Sequence, residues 1–334
     1  MTRLFPSMTL GALLLGTALP AAAAVPSVAT DMPVTQSLVA MVMGDLGEPS
    51  LVMSQGGDPH HYQMRPSEAR ALANADLLVW IGPALTPWLD RSADERTGPS
   101  LVLLEAEGTH VRQFLPGEGD DDEHDEHGHD EAGHEMGGEA HAAEHGEEHG
   151  DGHGDGHGHH HADGTDPHAW LDPANARAWV LAIAQELSTL DPGNAATYAA
   201  NAQAAAAGLE ALDARLTTVL APVKDKPFVV FHDAYGYFAD HYGLNVVGQL
   251  SLGDASAPGA ARMSQLRETL VADHALCAFP ETNHDPALME TLVEGTDVTL
   301  GRALSPTGTE ATLGATLYPE TLTAMAETIA ACLK

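Results

Sequence analysis

Positive charge and cysteine are scarce in this sequence. Lysine and arginine together number 14 against 48 aspartates and glutamates in 334 residues, which gives a formal net charge of −34. Nucleic acids and anionic lipid surfaces are poor partners for so acidic a protein, whereas cations are concentrated near it. No apolar stretch after the N-terminal segment approaches the roughly 20 residues that a transmembrane helix requires. The sequence therefore predicts a soluble protein without a nucleic-acid partner.

Motifs of catalytic sites are also missing. The chain contains no H-E-x-x-H motif, no H-x-E combined with P-C-x-x-C, and no G-x-S-x-G nucleophile elbow. A hydrolytic enzyme would therefore lack an acid or base placed by a motif. We expect that the protein is not an enzyme.

The first residues have the layout of a secretory signal peptide. Arg3 precedes an apolar segment from about Leu10 to Leu19, and a run of small residues that ends near Ala24 follows it. We therefore expect residues 1–24 to be removed by cleavage near Ala24 and the mature protein to be exported.

The two cysteines, Cys277 and Cys332, fit such an oxidising compartment. An even number of cysteines in an exported chain favours a disulfide over free thiols. A bridge between them would close a loop of about 55 residues and stabilise the fold by roughly 4 kcal/mol through chain entropy. It would also fix the C-terminal helix to a strand.

A low-complexity segment carries half of the negative charge. Residues 118–163 contain 17 acidic residues and no lysine or arginine, which leaves a formal charge of −17 for the rest of the chain. Residues 117–164 have almost nothing to bury, so we predict that they form a disordered loop. Its frequent glycines prevent a rigid ligand cage, so its histidines are expected to form weaker, accessory metal sites. These histidines are His124, His127, His129, His134, His141, His145, His149, His153, His157, His159, His160 and His161.

The rest of the chain alternates short apolar runs with helical patterns, which is typical of α/β folds. We predict two lobes, residues 25–193 and 222–334, each a mostly parallel sheet flanked by helices. One long backbone helix, residues 194–221, is predicted to join them. The expected strands are VPSVAT, PSLVMS, DLLVWIG and LVLLE in the first lobe, and KPFVVFH, LNVVGQL, ALCAFPE and DVTLG in the second.

Three histidines follow predicted strands or precede predicted helices. They are His60 in DPHHYQMRPS, His168 in DPHAWLDP and His232 in VVFHDAYGYF. Ligands of open α/β sheets bind at the carboxyl ends of strands, so these loops are suited to line a binding cleft. Three neutral imidazoles with one open position suit Zn(II).

These segments together resemble the ZnuA-like periplasmic zinc-binding proteins that feed ABC importers. The resemblance rests on HHYQMRPSEARALANADLLVWIGP, HAWLDP and FVVFHDAYGYF, with an acidic, histidine-rich insertion between the first two, and it covers nearly the whole mature chain. It implies two α/β lobes joined by one long helix, a late disulfide, and zinc held in the cleft by His60, His168 and His232.

The resemblance also implies a function. A protein of this kind captures Zn(II) as its transported ligand in the periplasm and delivers it to the inner-membrane permease of a zinc ABC importer, whose ATPase is an indirect partner. Periplasmic zinc chaperones are further candidate partners, and a monomer is expected. The histidine-rich loop would act as an accessory scavenger or sensor. The alternatives are an exported zinc-dependent hydrolase, which shares a site of three histidines with an open position, and a metal buffer that acts through this loop alone.

Two departures leave the fourth zinc ligand open. Pro59 stands where some relatives have a glutamate, and Ser305 stands where manganese-binding relatives have an aspartate. Water, a histidine of the loop and His61 are the alternatives. The spacing to Tyr62 and Arg65 favours His60 as the first ligand, with the adjacent His61 as the alternative at that position. An imidazole at His232 favours Zn, Cu, Ni or Co over Mn.

Other notable side chains are expected to have structural roles. Glu281 and Asp285 are predicted to cap or orient a helix start, and His110 is placed in the mobile insertion. The remaining expectations are core or interlobe packing for the tryptophans Trp80, Trp88, Trp170 and Trp179, and surface or core positions for the histidines His241, His274 and His284.

Overall fold

A computed structural model describes residues 24–114, 164–251 and 259–334. The predicted signal peptide, apart from Ala24, and the predicted histidine-rich loop at 117–164, apart from Gly164, lie outside these residues. Within them, no helix is both long enough and apolar enough to cross a membrane.

The first lobe is a four-stranded parallel sheet of order β2-β1-β3-β4. Its strands are β1 (Val28–Thr30), β2 (Ser50–Leu51), β3 (Leu77–Trp80) and β4 (Ser100–Val102), and its helices are α1 (Pro33–Met43), α2 (Pro66–Asn74) and α3 (Pro87–Asp94). The central strands β1 and β3 are buried at every residue, as expected for a parallel sheet with helices on both faces. The predicted strand LVLLE ends at Val102, and residues Leu103–Glu105 form a 3-10 turn instead.

Two helices in contact connect the lobes. Asp172 caps the first of them, α4 (Pro173–Leu190), by accepting a hydrogen bond from the backbone N–H of Ala174, as its position before a proline predicts. The second, α5 (Ala195–Leu220), has 26 residues and a length of about 39 Å. Its length fits the predicted linking helix. Because α5 also packs against α1, one core cluster continues from the first sheet into the second.

The second lobe is also a four-stranded parallel sheet, of order β6-β5-β7-β8. Its strands are β5 (Pro227–His232), β6 (Asn245–Ser251), β7 (Cys277–Phe279) and β8 (Thr299–Leu300), and its helices are α6 (Gly236–Tyr242), α7 (Ala260–Ala272), α8 (Ala287–Val293) and α9 (Leu317–Leu333). The two parallel sheets with flanking helices confirm the predicted fold class.

The C-terminal helix α9 belongs to the structure of both lobes. The predicted disulfide between Cys277 and Cys332 is present and joins α9 to β7. The same helix packs against α5 and α1, and the backbone N–H of Tyr318 donates a hydrogen bond to Ser37 Oγ in the first lobe. The end of the chain therefore holds the two lobes together rather than completing the second lobe alone.

Candidate metal centre

The fold brings His60, His168 and His232 together between the two sheets. His60 lies in the loop after β2, His168 precedes the short turn that leads into α4, and His232 is the last residue of β5. One ring nitrogen from each histidine lies within 4.8 Å of those of the other two. The Nε2 atoms of His168 and His232 are 3.4 Å apart. Two nitrogens bound to a tetrahedral zinc at 2.0–2.1 Å are separated by about 3.3 Å, so this spacing suits one shared ion.

Buried carboxylates orient two of the three imidazoles. Asp166 Oδ1 accepts hydrogen bonds from the backbone N–H of His168 at 3.0 Å and from its Nδ1 at 2.9 Å. Glu281 Oε2 lies 2.7 Å from Nδ1 of His232 and also accepts a hydrogen bond from the Tyr235 hydroxyl at 2.8 Å. A ring whose Nδ1–H donates to a carboxylate directs the lone pair of Nε2 toward the metal. The two carboxylates also supply negative charge beside a site that would hold a dication.

Burial affects the protonation of His168. Its side chain is 1% exposed. Desolvation lowers the pKa of this imidazole, and the opposing effect of Asp166 is smaller. Because zinc binds only the neutral imidazole, burial prepares His168 for coordination.

The loop that carries His60 is fixed by local contacts. The backbone N–H of His60 donates to Asp58 Oδ1 at 2.9 Å, and Trp88 Nε1 donates to the carbonyl of Pro59 at 2.7 Å. Tyr62 donates to Glu68, whose carboxylate also accepts a hydrogen bond from the backbone at the start of α2. The H-x-Y-x-x-R-P-S segment therefore builds both a helix start and a support for the ligand.

The other candidate ligands are His61 and the accessory histidines of the loop. The ring centroids of His61 and His60 are 6.5 Å apart. Among the described residues, two groups of side chains could hold a metal ion, the triad and the group of His232, Glu281 and His284, and His61 belongs to neither. The accessory histidines at 124–161 lie outside those residues. Their role therefore stays a prediction.

Two structural expectations need correction. Glu281, predicted to cap or orient a helix start, instead contacts the candidate ligand His232. His110, placed in the insertion, lies against the start of α4, where its backbone N–H donates to Asn175 and its Nδ1 is 3.4 Å from Asp172. Asp285 does accept a hydrogen bond from the backbone near the start of α8.

Neither Asp166 nor Glu281 was identified as an imidazole partner from the sequence. Asp166 stands two residues before His168. At this spacing an aspartate side chain commonly accepts a hydrogen bond from the backbone N–H of the residue two positions later. Glu281 follows β7, which pairs with β5. The rule that ligand-binding residues gather at the carboxyl ends of neighbouring strands could have indicated Glu281.

Arg112 links Asp166 to the second lobe. Arg112 Nη1 donates to Asp166 Oδ2 at 2.6 Å, while its Nε donates to Asp240 Oδ2 on α6 at 2.7 Å. Its backbone N–H donates to the Tyr237 hydroxyl at 2.7 Å. Asp166 thus contacts the candidate ligand His168 through one oxygen and the guanidinium of Arg112 through the other.

A second group of potential ligands adjoins the first. One ligand atom from each of His232, Glu281 and His284 lies within 4.8 Å of the other two. The ring of His284 stacks on Phe231 with centroids 4.3 Å apart and an interplanar angle of 24°. Desolvation lowers the pKa of His284, which favours its neutral form. The sequence had suggested only a surface or core histidine at this position.

Known proteins share both the sequence and the fold of this chain. A family model described as ZnuA, the periplasmic component A of a zinc-uptake complex, matches residues 28–332. The high-affinity zinc uptake system protein ZnuA of Paracoccus denitrificans is 54% identical over 331 residues, which cover 98% of each chain. The Brucella abortus protein of the same description is 38% identical over 307 residues, or 89% of this chain and 88% of that one. A crystal structure of ZnuA, 24% identical, has a TM-score of 0.68 and covers 92% of this chain and 99% of its own.

Proposed function

The chain belongs to the ZnuA family of periplasmic zinc-uptake components, and from this premise we propose that it captures zinc between His60, His168 and His232. Members of this family are periplasmic substrate-binding components of zinc ABC importers and not enzymes. They work with a permease and an ATPase. Zinc is therefore the cargo of this protein rather than a resident cofactor.

The observation that carries the assignment of the site is the convergence of three imidazoles at the junction of the lobes. His168 and His232 direct their Nε2 atoms toward each other at 3.4 Å, and each Nδ1 is held by a buried carboxylate. Packed strands and helices fix these groups before the ion arrives, so little chain entropy is lost on binding. We take water as the fourth ligand, because His61 belongs to neither described ligand group.

The remaining features extend this proposal. The N-terminal segment directs export and is cleaved near Ala24. The histidines of 117–164 collect zinc at weaker accessory sites, because their ligands must lose chain entropy to converge on one ion. The mature protein acts as a monomer that delivers zinc to the inner-membrane permease, with periplasmic zinc chaperones as candidate donors.

Equilibrium dialysis tests the site. A variant with alanine at His60, His168 and His232 is expected to lose tight zinc binding while keeping its helical circular dichroism. The matched control replaces three loop histidines, His124, His127 and His129 in one variant, and removes the same number of imidazoles. It should keep the tight site. Tight binding that survives the first substitution set and weakens with the second would refute the proposal and favour a metal buffer that acts through the loop.

The accessory role of the loop has its own test. Deletion of residues 119–163 is expected to leave a folded protein with about one tight zinc site and a lower total zinc stoichiometry. A loop closes at a cost that rises only about 0.6 kcal/mol with each doubling of its length, so the fold does not depend on it. Isothermal titration measures the outcome. If the tight site disappears while the fold persists, the loop supplies an essential ligand and the assignment of the site is wrong.

A further inference from the structure

Arg112 connects the carboxylate that orients His168 with helix α6. Its guanidinium donates to Asp166 Oδ2 at 2.6 Å and to Asp240 Oδ2 at 2.7 Å. The other oxygen of Asp166 accepts hydrogen bonds from the backbone N–H and the Nδ1 of His168. The side chain of Asp166 is completely buried, so its orientation depends on these protein partners rather than on solvent. A displacement of the guanidinium would therefore also displace the candidate ligand His168.

Backbone contacts place Arg112 opposite Asp166, although 54 residues separate them in sequence. The backbone N–H of Asp166 donates to the carbonyl of Arg112 at 3.1 Å. Next to this pair, Gln113 and Thr165 form an antiparallel bridge. The Tyr237 hydroxyl accepts a hydrogen bond from the backbone N–H of Arg112 at 2.7 Å and donates to the carbonyl of Asp166 at 2.9 Å. The arginine and the aspartate are thus fixed relative to each other by main chain as well as by side chains.

Gly236, the first residue of α6, leaves the space that the guanidinium occupies. A Cβ atom at this position would overlap Nη1 and Cζ of Arg112. The backbone conformation does not require glycine here, because the φ of Gly236 is not positive. Alanine also favours a helix more than glycine does. The missing side chain is therefore explained by the close approach of Arg112.

The start of α6 also contacts the carboxylate that orients the second imidazole. Tyr235, which directly precedes this helix, donates from its hydroxyl to Glu281 Oε2 at 2.8 Å. The same oxygen lies 2.7 Å from Nδ1 of His232. One turn of chain therefore acts on His168 through Arg112 and on His232 through Tyr235.

We propose that Arg112, packed against Gly236, is a positioning residue that fixes His168 relative to His232 and thereby sets the zinc affinity of the triad. Arginine suits this role because its planar guanidinium donates to two carboxylates in a fixed geometry, which the single ammonium of lysine does not reproduce. The inference rests on the proposed function, since it concerns the affinity of the same triad.

The charge of Arg112 gives the proposal a sign that can be tested. A guanidinium near the site repels a dication, so repulsion alone predicts tighter zinc binding when Arg112 is removed. Positioning predicts weaker binding. Arg112→Lys keeps the charge and loses the planar geometry, which separates the two effects and leaves a cation beside the buried Asp166.

Competition titrations with zinc measure the effect of Arg112. Arg112→Ala and Arg112→Lys are both expected to bind zinc about three- to tenfold more weakly than wild type, less than the loss of a direct partner of a metal-bound histidine causes. Arg177→Met is the matched control, because Arg177 pairs with Glu210 between α4 and α5. It should keep the wild-type Kd. A wild-type Kd in Arg112→Lys, or tighter binding in Arg112→Ala, would overturn the proposal.

A double-mutant cycle tests the contact with Gly236. Gly236→Ala overlaps only the end of a flexible side chain, so it is expected to fold with wild-type circular dichroism and to bind zinc about three- to tenfold more weakly. In the Arg112→Ala background the same substitution should cause no further loss, because the guanidinium is already absent. Gly208→Ala on α5 is the matched control, since an added Cβ there has no neighbour within 4 Å. An equal loss from Gly236→Ala in both backgrounds would overturn the proposal, because the glycine would then act independently of Arg112.

Cobalt(II) substitution distinguishes positioning from a general loss of stability. Co(II) binds the same imidazole ligands as zinc, and its visible absorption reports the geometry of the coordinated ion. At saturating metal, Arg112→Lys and Gly236→Ala are expected to change this spectrum, whereas Arg177→Met and Gly208→Ala should keep it. A wild-type spectrum in the first two variants would overturn the positioning role.

The alanine variant of the triad separates this failure from that of the proposed function. If that variant keeps tight zinc binding, the assignment of the triad itself is refuted. If it loses tight binding while Arg112→Lys binds zinc as wild type does, only the positioning role of Arg112 is refuted.

Discussion

His241 forms an ionic bridge between helices that connect the lobes, and its titration should control part of the stability of the fold. From α6 its Nδ1 lies 3.0 Å from Asp172 Oδ1 at the start of α4, and its Nε2 lies 2.8 Å from Asp213 Oδ1 on α5. The hydrogen bond to Asp172 is the main cause that raises the pKa of His241 to about 9, with burial opposing it and Asp213 adding to it. The side chain is 22% exposed, so solvent screening is incomplete.

The sign and size of the effect follow from linkage. A histidine whose pKa is raised in the folded state stabilises the fold fully below the unfolded value of about 6.5. That contribution is lost as the pH rises through about 9. The raised pKa of His241 corresponds to at most ~3 kcal/mol of the free energy of unfolding. Asp172 acts in the opposite range, because its pKa is lowered and its contribution is lost as the pH falls into the acid range.

Urea unfolding of wild type and His241→Gln measures this contribution. Zinc is removed from both, so that metal binding adds no pH dependence of its own. The difference in the free energy of unfolding is expected to be largest near pH 6.5 and to fall by ~3 kcal/mol toward pH 10. His274→Asn, which replaces an exposed histidine, should show no such trend. A difference between wild type and His241→Gln that stays constant over this range would refute the charged bridge.

Other predictions concern the metal centre and the disulfide. Asp166→Asn should weaken zinc binding about 10- to 100-fold in competition titrations, because the carboxylate that orients His168 is lost; an unchanged Kd would contradict this role. Replacing Cys277 and Cys332 by serine should lower the free energy of unfolding by about 4 kcal/mol, since the bridge spans 55 residues; a urea titration identical to wild type would refute it. Zinc should raise the melting temperature without creating the fold, because both sheets have a packed core; a metal-free protein without helical circular dichroism would show otherwise. Zinc affinity should fall between about pH 7.5 and 5.5, because bound imidazoles must be neutral; a flat profile would exclude a histidine triad.

Local pattern was sufficient to predict most of the elements, and it selected the three histidines that the fold brings together. Strand β5 was predicted from KPFVVFH and ends at His232, as the apolar run indicates. The linking helix was predicted as residues 194–221 and extends over Ala195–Leu220, because its alanine-rich sequence contains no proline and a single glycine, Gly208. The cysteine pair was predicted from an even count in an exported chain.

Contacts between distant segments depended on the tertiary structure. Glu281 reaches His232 because β7 lies beside β5 in the order β6-β5-β7-β8, and no local pattern states which strands become neighbours. His284 is placed near the triad for the same reason. Its sequence neighbourhood resembles an ordinary helix start.

The sequence by itself determined the period of each helix and strand and the chemistry of each ligand, because these depend on residues close together in the chain. Only the tertiary structure decided the partners of the imidazoles and the bridges between the lobes. Arg112 and Asp240 are 128 residues apart in sequence and 2.7 Å apart in space. Such pairs form because packing of whole elements brings their side chains together, which the order of residues does not record.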